Sequence, residues 1–348
     1  MLKIDAFCRV IDNYGDIGVC WRLARQLVAE HGCEVRLIVD DLASFRAIAP
    51  EVSVALPVQH WLGVDVLMWS EAESLAPAHV VIEAFACDPP DGYVAAMADR
   101  ARSGQPPAWI NLEYLSAEAW VDEVHGLPSP HPRLPLTKHF FCPGFTEASG
   151  GLIREASVVA TDARPPSRPE ASKVFAFTYP HAPLRALAQG FTDAGGAPEI
   201  TVAAPLTDAA PVWQTAAPVP QTSFDALLAQ FDFLIVRGED SFVRAQWAAK
   251  PLLWHIYPTA DNAHLVKLDA WLERYCVGLA PSVDAAYRAA SRAFNRGETS
   301  PETYATLAAN LPKLAEHAGR WRDSLMQQTD LATRLLAMIR MVEAQKLG

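Results

Sequence analysis

No stretch of the chain approaches the roughly 20 consecutive apolar residues that a membrane-spanning helix needs, so a helical span is not expected. Basic residues are in the minority: 29 Lys and Arg stand against 40 Asp and Glu, a formal net charge of −11. A phosphate-backbone binder carries the opposite footprint, so nucleic acid is not an expected partner, whereas a cationic substrate or partner suits the balance. Cysteine is scarce and scattered: Cys8, Cys20, Cys33, Cys87, Cys142 and Cys276 include no Cys-x-x-Cys pair. Disulfides and a structural zinc site are therefore not expected. Charged residues make up only 20% of the chain against 51% hydrophobic, which excludes disorder and calls for a sizeable core. The opening residues place Asp5 and Arg9 where the apolar region of an export signal would have to lie, so the expected location is the cytoplasm.

At 348 residues the chain is too long for one core and comfortable for two domains. Its first half alternates short apolar runs with helical patterns, the mark of βα units on a parallel sheet. Strands are expected at Ile4–Val10, Val35–Val39, Val52–Leu56, Val64–Trp69, Val80–Phe85 and Trp109–Tyr114. Val19, Leu23 and Leu27 recur at helical spacing, placing an amphipathic helix from Gly18 to about Glu30. The stretch from about His125 to Gly151 is rich in Pro, Gly and His and reads as loop. Three prolines between Asp162 and Glu170 mark the best domain boundary. A second series follows, with strands at Lys173–Thr178, Glu199–Ala203, Phe231–Val236 and Leu252–Tyr257, and after Ser282 the chain is nearly all helical. The expected division is a Rossmann-like domain over 1–164 and a second over 165–324. A C-terminal helix over about 325–348, with Leu331, Leu335, Ile339 and Val342 on one face, would pack back on the first. Two such doubly wound domains bind ligands at the carboxyl ends of their strands, facing a shared cleft.

Asp12-Asn13-Tyr14-Gly15-Asp16-Ile17-Gly18 lies between the first strand and the first helix. Gly15 and Gly18 permit a tight turn, and the helix start offers free amides and a positive dipole end. Asp12 and Asp16 suit a base and an orienting group; equally, Asp16 suits a helix cap and Asp12 a turn. A dinucleotide fingerprint needs Gly-x-Gly-x-x-Gly here, and the loop has only Gly-x-x-Gly with an acid inside it. That weakens a dehydrogenase reading, although Asp40 ends the second strand where a ribose-binding acid would sit.

Arg237-Gly-Glu-Asp-Ser241 follows a buried strand and enters a helix. Ser241 and the helix amides form an anion site, Arg237 offers a fork of donors suited to a diphosphate, and Glu239 or Asp240 suits a sugar hydroxyl. The local alternative is Asp240 or Ser241 as cap, with Arg237 paired to Glu239. Tyr179, Phe224 and Tyr257 stand near strand ends where aromatics stack a nucleobase, though each alone also suits a core. Gln246 and Asp261-Asn262 are weaker polar-lining candidates, and His255 and His264 form no metal-ligand pattern.

The segments Phe7–Leu27 and Arg237–Gln246, with the Leu252–Pro258 strand and the turn after it, closely resemble the bacterial elongation factor P arginine rhamnosyltransferases. The resemblance runs over nearly the whole chain except the connections around Asp162–Glu170 and Pro205–Gln221. It implies a GT-B fold, an α/β architecture of two Rossmann-like domains with the acceptor on the first and the sugar donor on the second. It implies inverting transfer of L-rhamnose from dTDP-β-L-rhamnose to one arginine of elongation factor P, with no metal and no other cofactor. Asp12 and Asp16 match the acceptor-side acids, with Asp16 the base; Asn13, Tyr14, Gly15 and Gly18 complete that loop. Arg237, Glu239, Asp240 and Ser241 match the diphosphate and sugar region, Phe224 and Tyr179 the thymine contacts, and Tyr257 a phosphate contact. The alternatives are a GT-B enzyme with a small-molecule acceptor and, in a different class, a nicotinamide-dependent oxidoreductase.

Overall fold

A computed structural model describes residues 1–11, 14–158, 173–203 and 213–345. The chain divides into two units, Met1–Val158 with Gln328–Gly348, and Val159–Gln327. The proline-rich stretch 162–170, expected to be the boundary, lies outside the described residues.

The first unit runs β1 (Lys3–Cys8), α1 (Gly15–His31), β2 (Glu34–Val39), α2 (Leu42–Ile48), β3 (Val58–Trp61), β4 (Val64–Met68), β5 (Val80–Ala84), α3 (Asp91–Arg102), β6 (Ala108–Leu112), α4 (Trp120–Val124), β7 (Pro128–Pro130) and β8 (Thr137–Phe141). These strands form one sheet ordered β3-β4-β2-β1-β5-β6-β8-β7, parallel except for the edge strands β3 and β7. Strands covered on both faces read as continuous apolar runs, and the side-chain period of two sorts them. Ile4, Ala6 and Cys8 face a core shared with α1, while Phe7 faces the other side, with Tyr93 and Met97 of α3. Two buried carboxylates on these strands are structural. Asp5 takes both ends of the Arg36 guanidinium and the Ala78 N–H, and Glu83 pairs with Lys138 and accepts from the Trp109 indole.

The second unit runs β9 (Lys173–Ala176), α5 (Leu184–Asp193), β10 (Glu199–Val202), β11 (Gln214–Thr215), α6 (Phe224–Leu228), β12 (Phe233–Arg237), α7 (Asp240–Ala248), β13 (Leu252–His255), α8 (Ala263–Tyr275), α9 (Pro281–Asn295), α10 (Pro301–Ala308) and α11 (Leu311–Met326). Its sheet is parallel throughout, ordered β11-β10-β9-β12-β13. The last helix, α12 (Leu331–Gln345), belongs to the first unit, where Leu331, Leu335, Ile339 and Val342 are buried in the core beside α1.

Three local expectations need correction. The helix after β1 begins at Gly15, not Gly18, and both glycines have helical backbone rather than turn geometry. Val52–Leu56 is not a strand: Ser53 N–H bonds the Gln59 side chain, Ala55 N–H bonds Ser53 Oγ, and Pro57 has no N–H to give a ladder. The strand lies further on, at β3. The region read as loop from His125 to Gly151 contains β7 and β8, the latter pairing in parallel with β6.

Candidate active site

Counting only its parallel strands, the first sheet is ordered β4-β2-β1-β5-β6-β8, and its direction of winding reverses between β1 and β5. Ligands bind at such a switch point, outside the carboxyl ends of the strands. Beyond β1 the chain passes through residues 9–14 into α1. Asp12 and Asn13 lie outside the described residues. Tyr14, at 38% exposure, is the N-cap and makes no side-chain cap bond. Asp16 sits in the first turn of α1, 1% exposed, and its Oδ2 accepts from the Ile11 N–H at 2.7 Å. It is therefore not the helix cap; it ties the loop back, in the turn where the helix dipole favours an anion. The nearby Cys8 thiol is held well above its ordinary range, first by its side-chain hydrogen bond with the free thiol of Cys20, then by burial, with the Asp16 charge adding to it. Asp40, the acid a dinucleotide reading would set on a ribose, accepts from the Val10 N–H at 2.9 Å.

On the other side of the switch point, β5 ends in a turn that the sequence does not advertise. Phe85 and Ala86 have φ of 57° and 52°, Cys87 N–H reaches back to the Ala84 carbonyl at 3.2 Å, and Asp88 follows with φ of 46°. Left-handed backbone at non-glycine residues costs of order 1–3 kcal/mol each and persists only where surroundings enforce it. Here Phe85 N–H bonds the Leu112 carbonyl at 2.7 Å and Ala86 N–H bonds Asn111 Oδ1 at 3.3 Å. The same Asn111, 2% exposed, donates from Nδ2 to Glu113 Oε1 at 2.5 Å. Phe85 stacks on Tyr114, centroids 4.2 Å apart and planes 13° off parallel.

The second sheet reverses between β9 and β12. Phe177 and Tyr179 follow β9, and Arg237 ends β12. The Arg237 guanidinium lies 4.6 Å from the Phe177 ring centroid and 4.8 Å from that of Tyr179. Cation and ring attract through the ring quadrupole, which fixes the donor fork at the strand end. Among the described residues no ion pair holds Arg237, so in place of the local alternative, a pairing with Glu239, there is this aromatic seat. Gly238, φ 59°, turns the chain into α7, where Glu239 is the N-cap without a side-chain cap bond. Ser241 Oγ donates to the Arg237 carbonyl, so the hydroxyl is engaged, and Asp240 accepts from Gln221 Nε2 at 2.9 Å. Phe224 opens α6 and stands edge-on to Phe177 at 6.4 Å; Tyr257, 56% exposed, stands edge-on to Tyr179 at 5.4 Å. Gln246 is placed elsewhere: 1% exposed, it donates to the Phe242 carbonyl and accepts from the Trp321 indole, so it packs rather than lines. Asp261 accepts from Ala263 N–H at the start of α8, a helix-opening role.

His255 matches no metal pattern and carries no other signal in sequence. It ends β13 with Nδ1 accepting from the Tyr179 N–H at 3.3 Å, which ties the aromatic segment after β9 to β13. Burial, then the Arg237 charge and His264, push its pKa down to about 3, so the ring is neutral. Phe177, as one apolar residue at a strand end, likewise carries no sequence signal of its own. Among the described residues no group of three His, Cys, Asp or Glu side chains is arranged to hold a metal, and no helix is long and apolar enough to cross a membrane.

Residues 4–211 and 213–340 match the family described as Elongation-Factor P (EF-P) rhamnosyltransferase EarP. The chain is 45% identical to the protein-arginine rhamnosyltransferase of Pseudomonas putida, over 97% of this chain and 98% of that one. A solved structure described as the structural basis for EarP-mediated arginine glycosylation of translation elongation factor EF-P superposes with a TM-score of 0.61. It is 30% identical and covers 98% of this chain and 99% of its own. The Phytolacca americana UGT2 structure, with UDP-2-fluoro-glucose and pterostilbene, gives a TM-score of 0.55 at 13% identity with full coverage of both chains, a likeness of fold alone. The fold is of the GT-B type, two Rossmann-like units each with a parallel doubly wound sheet.

Proposed function

The chain belongs to the EarP family of elongation factor P rhamnosyltransferases, and from that premise we propose which residues carry the transfer and from which donor. The protein is a glycosyltransferase that moves rhamnose from a nucleotide sugar to an arginine side chain of elongation factor P. The donor proposed is dTDP-β-L-rhamnose, with inversion at the anomeric carbon and with the cytoplasm as the place of reaction. The observation that carries the residue assignment is where polar groups stand in each unit. A buried carboxylate opens α1 at the first switch point, and a cation on two rings ends β12 at the second.

Asp16 is the base. A guanidinium has a pKa above about 12, so no carboxylate deprotonates it in the ground state. Asp16 instead holds the cation by charge-assisted hydrogen bonds and localises its charge, which frees lone-pair character on the attacking nitrogen. As the C–N bond forms and the bond from the anomeric carbon to the diphosphate oxygen breaks, that nitrogen becomes acidic and Asp16 takes its proton. The departing dTDP carries away the electron pair of the broken bond. Arg237, Tyr257 and the backbone amides at the start of α7 stabilise the negative charge that develops there. Asp12 is the second acceptor-side acid, with Asn13, Tyr14, Gly15 and Gly18 framing that loop. Glu239 and Asp240 hold the sugar, Ser241 contributes through its backbone amide, and Phe224 and Tyr179 contact the thymine.

Two other readings lose ground. A nicotinamide enzyme needs the glycine fingerprint that the β1–α1 loop lacks, and Asp40 is engaged at Val10. A small-molecule acceptor is not favoured for a chain of which 97% matches a protein-arginine rhamnosyltransferase. The test is tandem mass spectrometry of elongation factor P after reaction with dTDP-rhamnose, UDP-glucose or dTDP-glucose. Only dTDP-rhamnose is expected to modify it, on one arginine. Equal turnover with UDP-glucose would overturn the donor, and a modified residue other than arginine would overturn the acceptor chemistry.

A further inference from the structure

At the carboxyl end of the second sheet, one buried histidine makes contacts that none of the chemistry above uses. His255 is 7% exposed and closes β13 beside Arg237, its register partner at the end of β12. Register partners leave a sheet on the same face, so a cation and an imidazole stand side by side. The imidazole is boxed by Tyr179, edge-on at 5.3 Å, and by Phe294 of α9, edge-on at 5.2 Å. Strand β12 lies between β9 and β13, so the bond from Tyr179 N–H to His255 Nδ1 crosses over the end of β12. Asn295 of α9 fixes the backbone on either side of His255. Its Oδ1 accepts from the Ile256 N–H at 2.9 Å, and its Nδ2 donates to the Trp254 carbonyl at 2.8 Å. The Arg237 guanidinium and the Tyr257 ring both lie against the Tyr179 ring, so what fixes Tyr179 fixes all three.

We infer that His255 is a positioning residue for the nucleotide-sugar donor. It is a neutral acceptor that fixes Tyr179, and through it the Arg237 fork, without drawing Arg237 into an ion pair. The inference rests on the donor reading above and deepens it. An aliphatic side chain would fill the space among these rings but would offer the Tyr179 N–H no acceptor. A carboxylate would accept that N–H. Beside a guanidinium, however, it would form a charge-assisted pair and cancel the field that a diphosphate needs. A neutral imidazole supplies the lone pair and leaves the cation its charge. Because Nδ1 accepts, the single ring proton sits on Nε2. Burial and the neighbouring Arg237 charge hold the ring in that neutral state.

The experiment is isothermal titration of dTDP into the wild type, His255→Asn, His255→Leu and His255→Asp. Donor KM, acceptor KM and melting temperature are measured on each. Asn sets a neutral oxygen close to where the imidazole holds Nδ1, so His255→Asn is expected to bind dTDP within about threefold of wild type. His255→Leu is expected to weaken dTDP binding and raise the donor KM by about tenfold, with the acceptor KM unchanged. His255→Asp keeps an acceptor but pairs with Arg237, and is expected to weaken dTDP binding by about tenfold or more. Wild-type dTDP affinity in folded His255→Leu overturns the inference. Equal loss in His255→Asn and His255→Leu also overturns it, since packing alone would then be at stake. So does equal affinity in His255→Asp and His255→Asn, and that comparison decides alone if His255→Leu does not fold. A wild type without affinity for dTDP overturns the donor reading itself, and the role of His255 falls with it.

Discussion

The Asp16 carboxylate accepts the Ile11 backbone N–H at 2.7 Å while sitting in the first turn of α1. One oxygen therefore holds the loop and the group as a whole is aimed by the helix start. Asn at this position keeps an acceptor for Ile11 but has no charge and takes no proton. Asp16→Asn is expected to melt within about 2 °C of wild type, since about 1 kcal/mol is the full worth of an ordinary hydrogen bond and Asn retains it. Transfer is expected to fall by about 10² or more. Turnover near normal in the folded variant would remove Asp16 from the role of base.

Arg237 lies over two rings, and among the described residues no carboxylate pairs with it, so the rings hold its fork in place. Lys keeps the charge and loses the planar fork and the stacking. Arg237→Lys is expected to raise the donor KM by about tenfold, and Arg237→Ala by more, with the acceptor KM little changed. Isothermal titration with dTDP reads the same loss directly.

His255 gives the fold a pH dependence with a definite sign. Its ordinary pKa is 6.5 and its folded value about 3, lowered by burial among Tyr179 and Phe294 and by the charges of Arg237 on β12 and His264 on α8. Between those values the unfolded chain binds more protons than the folded one. The stability tied to neutral His255 is therefore fully present above about pH 6.5 and is lost progressively as pH falls toward 3. Melting curves at pH 7 and pH 5 are expected to differ more for wild type than for His255→Gln, which has nothing to titrate at that position.

Arg244 on α7 is 1% exposed and grips Asp225 on α6, whose side chain is 48% exposed, through both ends of its guanidinium. Removing the acid leaves a buried cation without that partner; removing the cation leaves a carboxylate already half in water. Asp225→Asn is expected to destabilise by about 2 kcal/mol or more, and Arg244→Met by less. Urea denaturation of both variants checks the order.

How much of this is legible in sequence follows from burial. Val35–Val39 and Val80–Ala84 are central parallel strands covered on both faces, so they stand out as short apolar runs, each interrupted by a single charge (Arg36 and Glu83), and the βα order can be read from them. The strand Thr137–Phe141 does not stand out. It lies near the sheet edge among prolines and carries Lys138, whose charge is spent on buried Glu83. Asp16 and Arg237–Ser241 are visible because polar clusters at the ends of buried strands are conspicuous. The turn at Phe85 and Ala86 is invisible because it contains no glycine, and only three-dimensional restraint by Asn111 and Leu112 holds it there. His255 looks like an ordinary core histidine until its bond to Tyr179 N–H is seen.

The central claim is tested most directly by the intact mass of elongation factor P after incubation with this protein and dTDP-rhamnose. The account predicts a gain of one deoxyhexose, lost with Asp16→Asn and retained with Asp40→Asn. Elongation factor P that keeps its mass, while the donor raises the melting temperature of the enzyme, would contradict it.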